Sequence, residues 1–221
     1  MSIALSLGNN LTTGGIFKPT AVNNTSVNNV TDFASVPGSS TLVLLSTQTA
    51  SASASISFTT GIDSTYDEYI FKFINMHPSA SDARLTFNLS TDGGSSYNVT
   101  KTTTSFYCTH QENAGYAELA YTTGSDLAQS TAYQRITSGL SNDNDSATSA
   151  TLHLFAPSST TYVKNFMLVS NYFNVDSPAG SYNFYIAGYG NTTSAVNAID
   201  FKFDSGNIDD GIIKMYGVSK T

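Results

Sequence analysis

The sequence predicts an all-β fold, an antiparallel two-sheet sandwich of jelly-roll type, and three observations carry the prediction. Ser, Thr and Asn fill most polar positions, while Tyr and Phe, 13 of each, supply much of the apolar mass. Such residues, with Val and Ile, suit a pleated and half-buried surface. From Leu42 to Val218 the chain is broken every few residues by Gly, Asn or Asp, which suit tight turns. Between these breaks, short apolar or alternating runs recur, with no heptad pattern and no tandem repeat of fixed period.

Residues 1–40 stand apart. Asn9-Asn10, Gly14-Gly15, Asn23-Asn24 and Asn28-Asn29 punctuate short apolar pieces, and neither a 3.6 nor a 2-residue period persists. Such a segment cannot bury enough surface to fold alone. It reads either as a tail or as an extended arm that orders against a partner subunit. In the second reading Leu5, Leu7, Leu11, Ile16, Phe17, Val22, Val30 and Phe33 are the anchoring residues.

Residues 41–221 form the sandwich. Thr41–Ser46 is a short apolar run, and Ser53–Thr59 alternates with Ile56 and Phe58 on one face. Tyr69–Met76 is apolar on both faces apart from Lys72, as in a strand buried inside a sandwich. Arg84–Ser90 alternates, placing Leu85, Phe87 and Leu89 inward and Arg84, Thr86, Asn88 and Ser90 outward. Asp92-Gly93-Gly94-Ser95 then predicts a hairpin-like turn. Further strands are expected at Thr103–Thr109, Ala117–Thr122, Gln134–Ser138, Ala147–Phe155, Tyr162–Tyr172, Tyr182–Gly190, Ala198–Asp204 and Ile212–Val218, with one helical turn at Asp126–Ala132.

Charge and motifs exclude several functions. The net charge is −7, and the nine Lys and Arg are scattered, so no phosphate-tracking patch and no nucleic-acid partner are expected. No run approaches the roughly 18 apolar residues of a membrane helix, and the start lacks the basic and apolar regions of a secretory leader. A single Cys108 excludes an intrachain disulfide and a multi-Cys zinc site. His110-Gln111-Glu112 has the form of half a zinc-deaminase motif, but no PCxxC follows. GxSxG, GxGxxG and P-loop patterns are missing. Asp67, Glu68, Glu112 and Glu118 are the carboxylates that a glycosidase would have to pair, since such groups meet only in space. Asn142–Asp145 and Asp204 with Asp209-Asp210 offer oxygen ligands for a hard cation, yet Asn/Asp runs are ordinary turn formers. No catalytic residue, resident metal or cofactor is expected.

The aromatic residues carry more information. Tyr172, Phe173, Tyr182, Phe184, Tyr185 and Tyr189 crowd one region. Tyr offers large, rigid area with a polar tip, so Tyr172, Tyr182, Tyr185 and Tyr189 are candidates for interface or glycan contact. The alternative is that alternate rings fill the core.

Five stretches carry a resemblance. Leu44–Ile56 leads into Gly61–Tyr69; Ser90–Tyr97 and Phe155–Lys164 follow; the chain closes on Phe201–Val218, an SGNIxxGxIKxYG element. Together they resemble small β-rich virion proteins of tailed bacteriophages, marine ones in particular. The resemblance covers residues 42–218 and implies a particle component, with no catalytic motif to transfer. The function expected on that basis is a non-enzymatic virion protein displayed on the particle surface, either a capsid decoration protein or a short head or tail appendage. It would be made in the host bacterial cytoplasm and anchored through residues 1–40. Its expected partners are other virion proteins and further copies of itself, a trimer being one closed arrangement that would bury arms and edge strands. The alternative is a tail-fibre or tail-tip module that binds host surface glycans.

Overall fold

The computed structural model describes residues 41–174 and 179–220. The chain divides into two units, Met1–Ser39 and Ser40–Thr221, and everything described belongs to the second. The proposed anchoring residues Leu5, Leu7, Leu11, Ile16, Phe17, Val22, Val30 and Phe33 lie outside the described residues.

Twelve strands follow in order: β1 (Leu42–Thr49), β2 (Ile56–Phe58), β3 (Glu68–Pro78), β4 (Leu85–Ser90), β5 (Lys101–Gln111), β6 (Ala117–Tyr121), β7 (Gln134–Arg135), β8 (Thr148–Phe155), β9 (Lys164–Asn174), β10 (Gly180–Gly190), β11 (Ala198–Phe203) and β12 (Ile208–Val218). They build an eight-stranded sheet, β1-β12-β3-β8-β9-β10-β5-β6, and a four-stranded sheet, β2-β11-β4-β7, antiparallel throughout.

The order has an internal logic. β1 pairs with β12, β2 with β11, β3 with β8 and β4 with β7. These four nested pairs are one long antiparallel ribbon folded over itself, and they split between the sheets as in a jelly roll. The remaining strands are two insertions, β5-β6 after β4 and β9-β10 after β8. Both add to the β8 side of the large sheet, and β10 joins them by pairing with β9 and with β5.

The core lies between the sheets. Phe201 on β11 is its hub, with ring centroids 5.4 Å from Phe71, 4.9 Å from Phe73, 6.2 Å from Phe58 and 6.4 Å from Phe87. Phe87 meets Phe166 edge-on at 5.1 Å, which ties the inserted hairpin β9-β10 to the same core. Edge-on and offset rings suit the aromatic quadrupole, so the Phe-rich composition packs without Trp.

Three local expectations are corrected. β4 is buried on both faces, and Thr86, Asn88 and Ser90 are as inaccessible as Leu85, Phe87 and Leu89. The reason is a polar layer of flanking chain. Asn88 Nδ2 donates to the carbonyls of Tyr97 and Thr131, and Thr86 Oγ1 donates to that of Lys202. The turn after β4 forms, with Gly93 and Gly94 at positive φ, but it closes no hairpin. β4 pairs with β11 and β7, while the next strand belongs to the other sheet. Residues 126–132 make no helical turn. Their backbone is drawn to β5 instead: Thr103 N–H donates to Leu127 O, and Lys101 and Ser130 exchange a pair of hydrogen bonds.

The SGNIxxGxIKxYG element is a piece of architecture. It opens on the turn between β11 and β12 and runs along β12. Gly211 has φ +129°, and a Cβ there would meet Asn75 O at 2.9 Å, where the β12–β3 register slips. At Gly217 a Cβ would fall inside the Tyr66 ring, which covers the strand at that point.

Candidate interaction surface

Alternation along β10 sorts the four candidate tyrosines. Tyr182, Phe184 and Ile186 point into the sandwich, and Tyr185, Ala187 and Tyr189 point out of it. Tyr172 shares the inner face; it is 1% exposed and stacks on Tyr182 at 5.5 Å. Tyr182 in turn packs against the core and stacks on Tyr107 at 6.2 Å. Tyr172 is therefore corrected from contact candidate to interior residue, because its strand parity matches Phe184 and Leu168, while Tyr182 is half-buried against it on the same face. Tyr185 and Tyr189 stand on the outer face.

That outer face is the main feature of the surface. One row crosses the sheet from Lys72 on β3 through Thr151, Val169, Tyr185 and Phe106 to Tyr121 on β6. A second row runs His153, Met167, Ala187, Thr104, and a third runs Asn171, Asn183, Cys108, Leu119. Met167, Val169 and Leu119 are 57%, 45% and 71% exposed, Ile74, Phe106 and Tyr121 are exposed on the same face, and Leu44 is exposed on β1 at the other edge of the sheet. Phe106 and Tyr185 lie flat on each other, centroids 4.9 Å apart and planes 8° apart. On the second row the small Ala187 leaves a shallow depression of about 460 Å³, rimmed by Tyr189, Met167, Phe155 and Asn165.

Among the described residues the sheet also ends on an unpaired edge, β6. Gln111 N–H donates to Tyr116 O, and Thr122 N–H donates to Ser105 O. Antiparallel alternation then turns the backbone of Ala117, Leu119 and Tyr121 away from β5. Glu118 is the only charged residue of this strand, and it is held at home: Tyr107 Oη donates to it at 2.6 Å. That bond, with a second from Tyr116, keeps the carboxyl below its ordinary value and pushes the Tyr107 phenol up to about 12.

Three of the four candidate carboxylates have partners of their own, and the fourth, Glu112, lines a depression with His110 and Asn171. Asp67 faces Lys220 at 2.9 Å, Glu68 faces His153 Nδ1 at 2.6 Å, and Glu118 belongs to the β5–β6 hairpin. Asp204 takes the Arg84 N–H at 2.8 Å and its guanidinium at 3.5 Å, and Asp210 takes the Gly211 N–H. Asp143 accepts from Ser141 Oγ within its own turn. Among the described residues no three His, Cys, Asp or Glu side chains converge as metal ligands.

Sequence reasoning missed Phe106, Leu119, Tyr121, Met167 and Val169. The run Phe166-Met167-Leu168-Val169 has the look of a strand buried on both faces, and only the signal of alternating parity with a neighbour could have separated them. No family model matches the chain, and it matches neither a curated protein nor a solved structure.

Proposed function

We propose that this chain is a non-enzymatic structural protein of a bacteriophage particle, displayed on the particle surface as a capsid decoration protein or short appendage and anchored through residues 1–40. The observation that carries this reading is the jelly roll with one broad, weakly charged sheet face open to solvent. The resemblance of residues 42–218 to phage virion proteins supports it. Eight strands spaced at about 4.8 Å and up to 11 residues long present on the order of 1,000 Å². That is enough for one side of a standard interface, about 800 Å² per partner. The occupant that fits best is a second copy of this chain. The face bears Leu119, Phe106, Val169 and Met167 with little charge to repel itself, and the β6 edge offers backbone groups to an equivalent strand.

Removing residues 1–40 leaves a folded sandwich that no longer joins the particle. Incubating full-length and truncated protein with particles that lack it, then separating bound from free protein by sedimentation, tests this. Equal incorporation of both forms overturns the anchoring role.

A second reading is favoured by the flat Phe106–Tyr185 pair beside Tyr189, Asn171 and Asn183, a surface suited to stacking on and hydrogen bonding to sugars. Here the protein is a receptor-binding module for host surface glycans. Binding of the purified protein to host cells, lost on Tyr185→Ala, would select this reading over decoration.

A further inference from the structure

Among the described residues two lysines are wholly buried, and they are treated differently. Lys164 Nζ donates to three carbonyls, those of Ser159, Tyr162 and Thr192, a cage suited to an ammonium. Lys101, at the start of β5, has no such cage. Its Nζ lies 2.8 Å from Val99 O and 2.5 Å from Oδ1 of Asn88, itself fully buried, and no carboxylate within ion-pair distance of Lys101 is found among the described residues. The second distance is shorter than an ordinary N–H···O bond of about 2.7–3.2 Å. A buried ammonium without a counter-charge is costly, so burial pulls this amine down to about 7 and leaves much of it neutral and nucleophilic at physiological pH.

The Asn88 carboxamide is held as an acyl donor would be. Its Nδ2 donates to Tyr97 O at 2.6 Å and Thr131 O at 2.9 Å, and its Oδ1 accepts the Leu89 N–H at 2.9 Å. With a C=O length of about 1.23 Å, Cγ lies at most ~3.7 Å from Nζ, close to the reach of a near-attack pair. Beside it stands Asp200, the register partner of Asn88 on β11. It is buried, and its oxygens accept from Ser57 Oγ and Tyr133 Oη.

We infer that Lys101 and Asn88 join in an intramolecular isopeptide bond, formed by the folded chain itself. The Nζ lone pair attacks Cγ, and the carbonyl π electrons move onto Oδ1, which faces the Leu89 N–H. Collapse of this intermediate re-forms the C=O and breaks Cγ–Nδ2. The proton shed by Nζ passes to Nδ2 within the same intermediate, and ammonia leaves. One Cγ–N bond replaces another and one N–H replaces another, so no oxidant, metal or co-substrate is needed. The product links the end of β4 in one sheet to the start of β5 in the other.

The intact mass of the full-length chain, denatured after purification, tests this directly. It is expected to fall one ammonia short of the sequence mass. Trypsin should fail to cut after Lys101, so that residues 85–135 emerge as one peptide carrying the deficit. Lys101→Met and Asn88→Ala should each restore the mass expected for their sequence. A wild-type chain of full mass, cut normally at Lys101, overturns the proposal and leaves an ordinary buried hydrogen bond. A deficit that persists in Lys101→Met overturns it too, because Asn88 would then have cyclised onto its own backbone.

Discussion

Single residues in this fold do unequal work. Phe201 touches rings from β2, β3 and β4 at once, so its loss opens a cavity that no one neighbour can fill. Phe201→Ala should lower stability by about 3–5 kcal/mol in denaturant titration. Lys101 has a distinct pH signature. As a free amine its folded value is about 7 against 10.5 for the ordinary side chain, so the unfolded chain binds the extra proton between those values. Stability then rises as pH climbs through that window. A Lys101 bound as an amide has no such proton. Comparing wild type with Asn88→Leu by urea unfolding from pH 7 to 9.5 should show a rise in the variant and a flatter response in the wild type. The residue scale is also where sequence was least informative. Tyr172 and Tyr185 are chemically identical and 13 positions apart, and only their parity against β9 and β10 partners tells interior from surface. The same blindness hid the pairing of Lys101 with Asn88, since it depends on a loop crossing from one sheet to the other.

At the level of elements, the strands were largely legible, because alternation and turn residues are local signals. Each strand expected from the sequence has its counterpart within a few residues. The exceptions have tertiary causes. β4 alternates like a half-exposed strand, yet the 95–101 and 126–133 segments cover its polar face and supply the partners that make burial of Asn88 tolerable. Residues 126–132 had the composition of a helical turn, but their backbone groups find β5 first. β12 gives a sharper test. Any side chain at Gly217 must displace the Tyr66 ring, which packs edge-on against Tyr69 at 5.8 Å. Gly217→Val should cost about 1–3 kcal/mol, seen as a lower Tm, while Tyr66→Ala in the same chain should recover part of it. On β6 the expectation is opposite. Leu119→Asp should change unfolding by no more than about 0.5 kcal/mol, because Leu119 has no interior contact to lose. It should nonetheless abolish self-association measured by sedimentation equilibrium.

For the whole molecule, the sandwich was legible but its wiring was not. Nothing local announces that β5-β6 and β9-β10 are insertions that widen one sheet to eight strands, because strand order depends on contacts far apart in sequence. The nested pairing has a further consequence. Since β1 lies against β12, Ser219 N–H donates to Thr41 O at 2.8 Å, and the chain enters and leaves the sandwich at one corner. The Glu112–Gly115 bend, by contrast, caps the opposite end of the large sheet, next to Gly180 and remote from that corner. A foreign epitope grafted into the bend would project away from that corner, whereas cargo fused after Ser219 would sit beside Thr41. The described sandwich thus has two distinguishable poles, one where the chain enters and leaves and one formed by the Glu112–Gly115 bend.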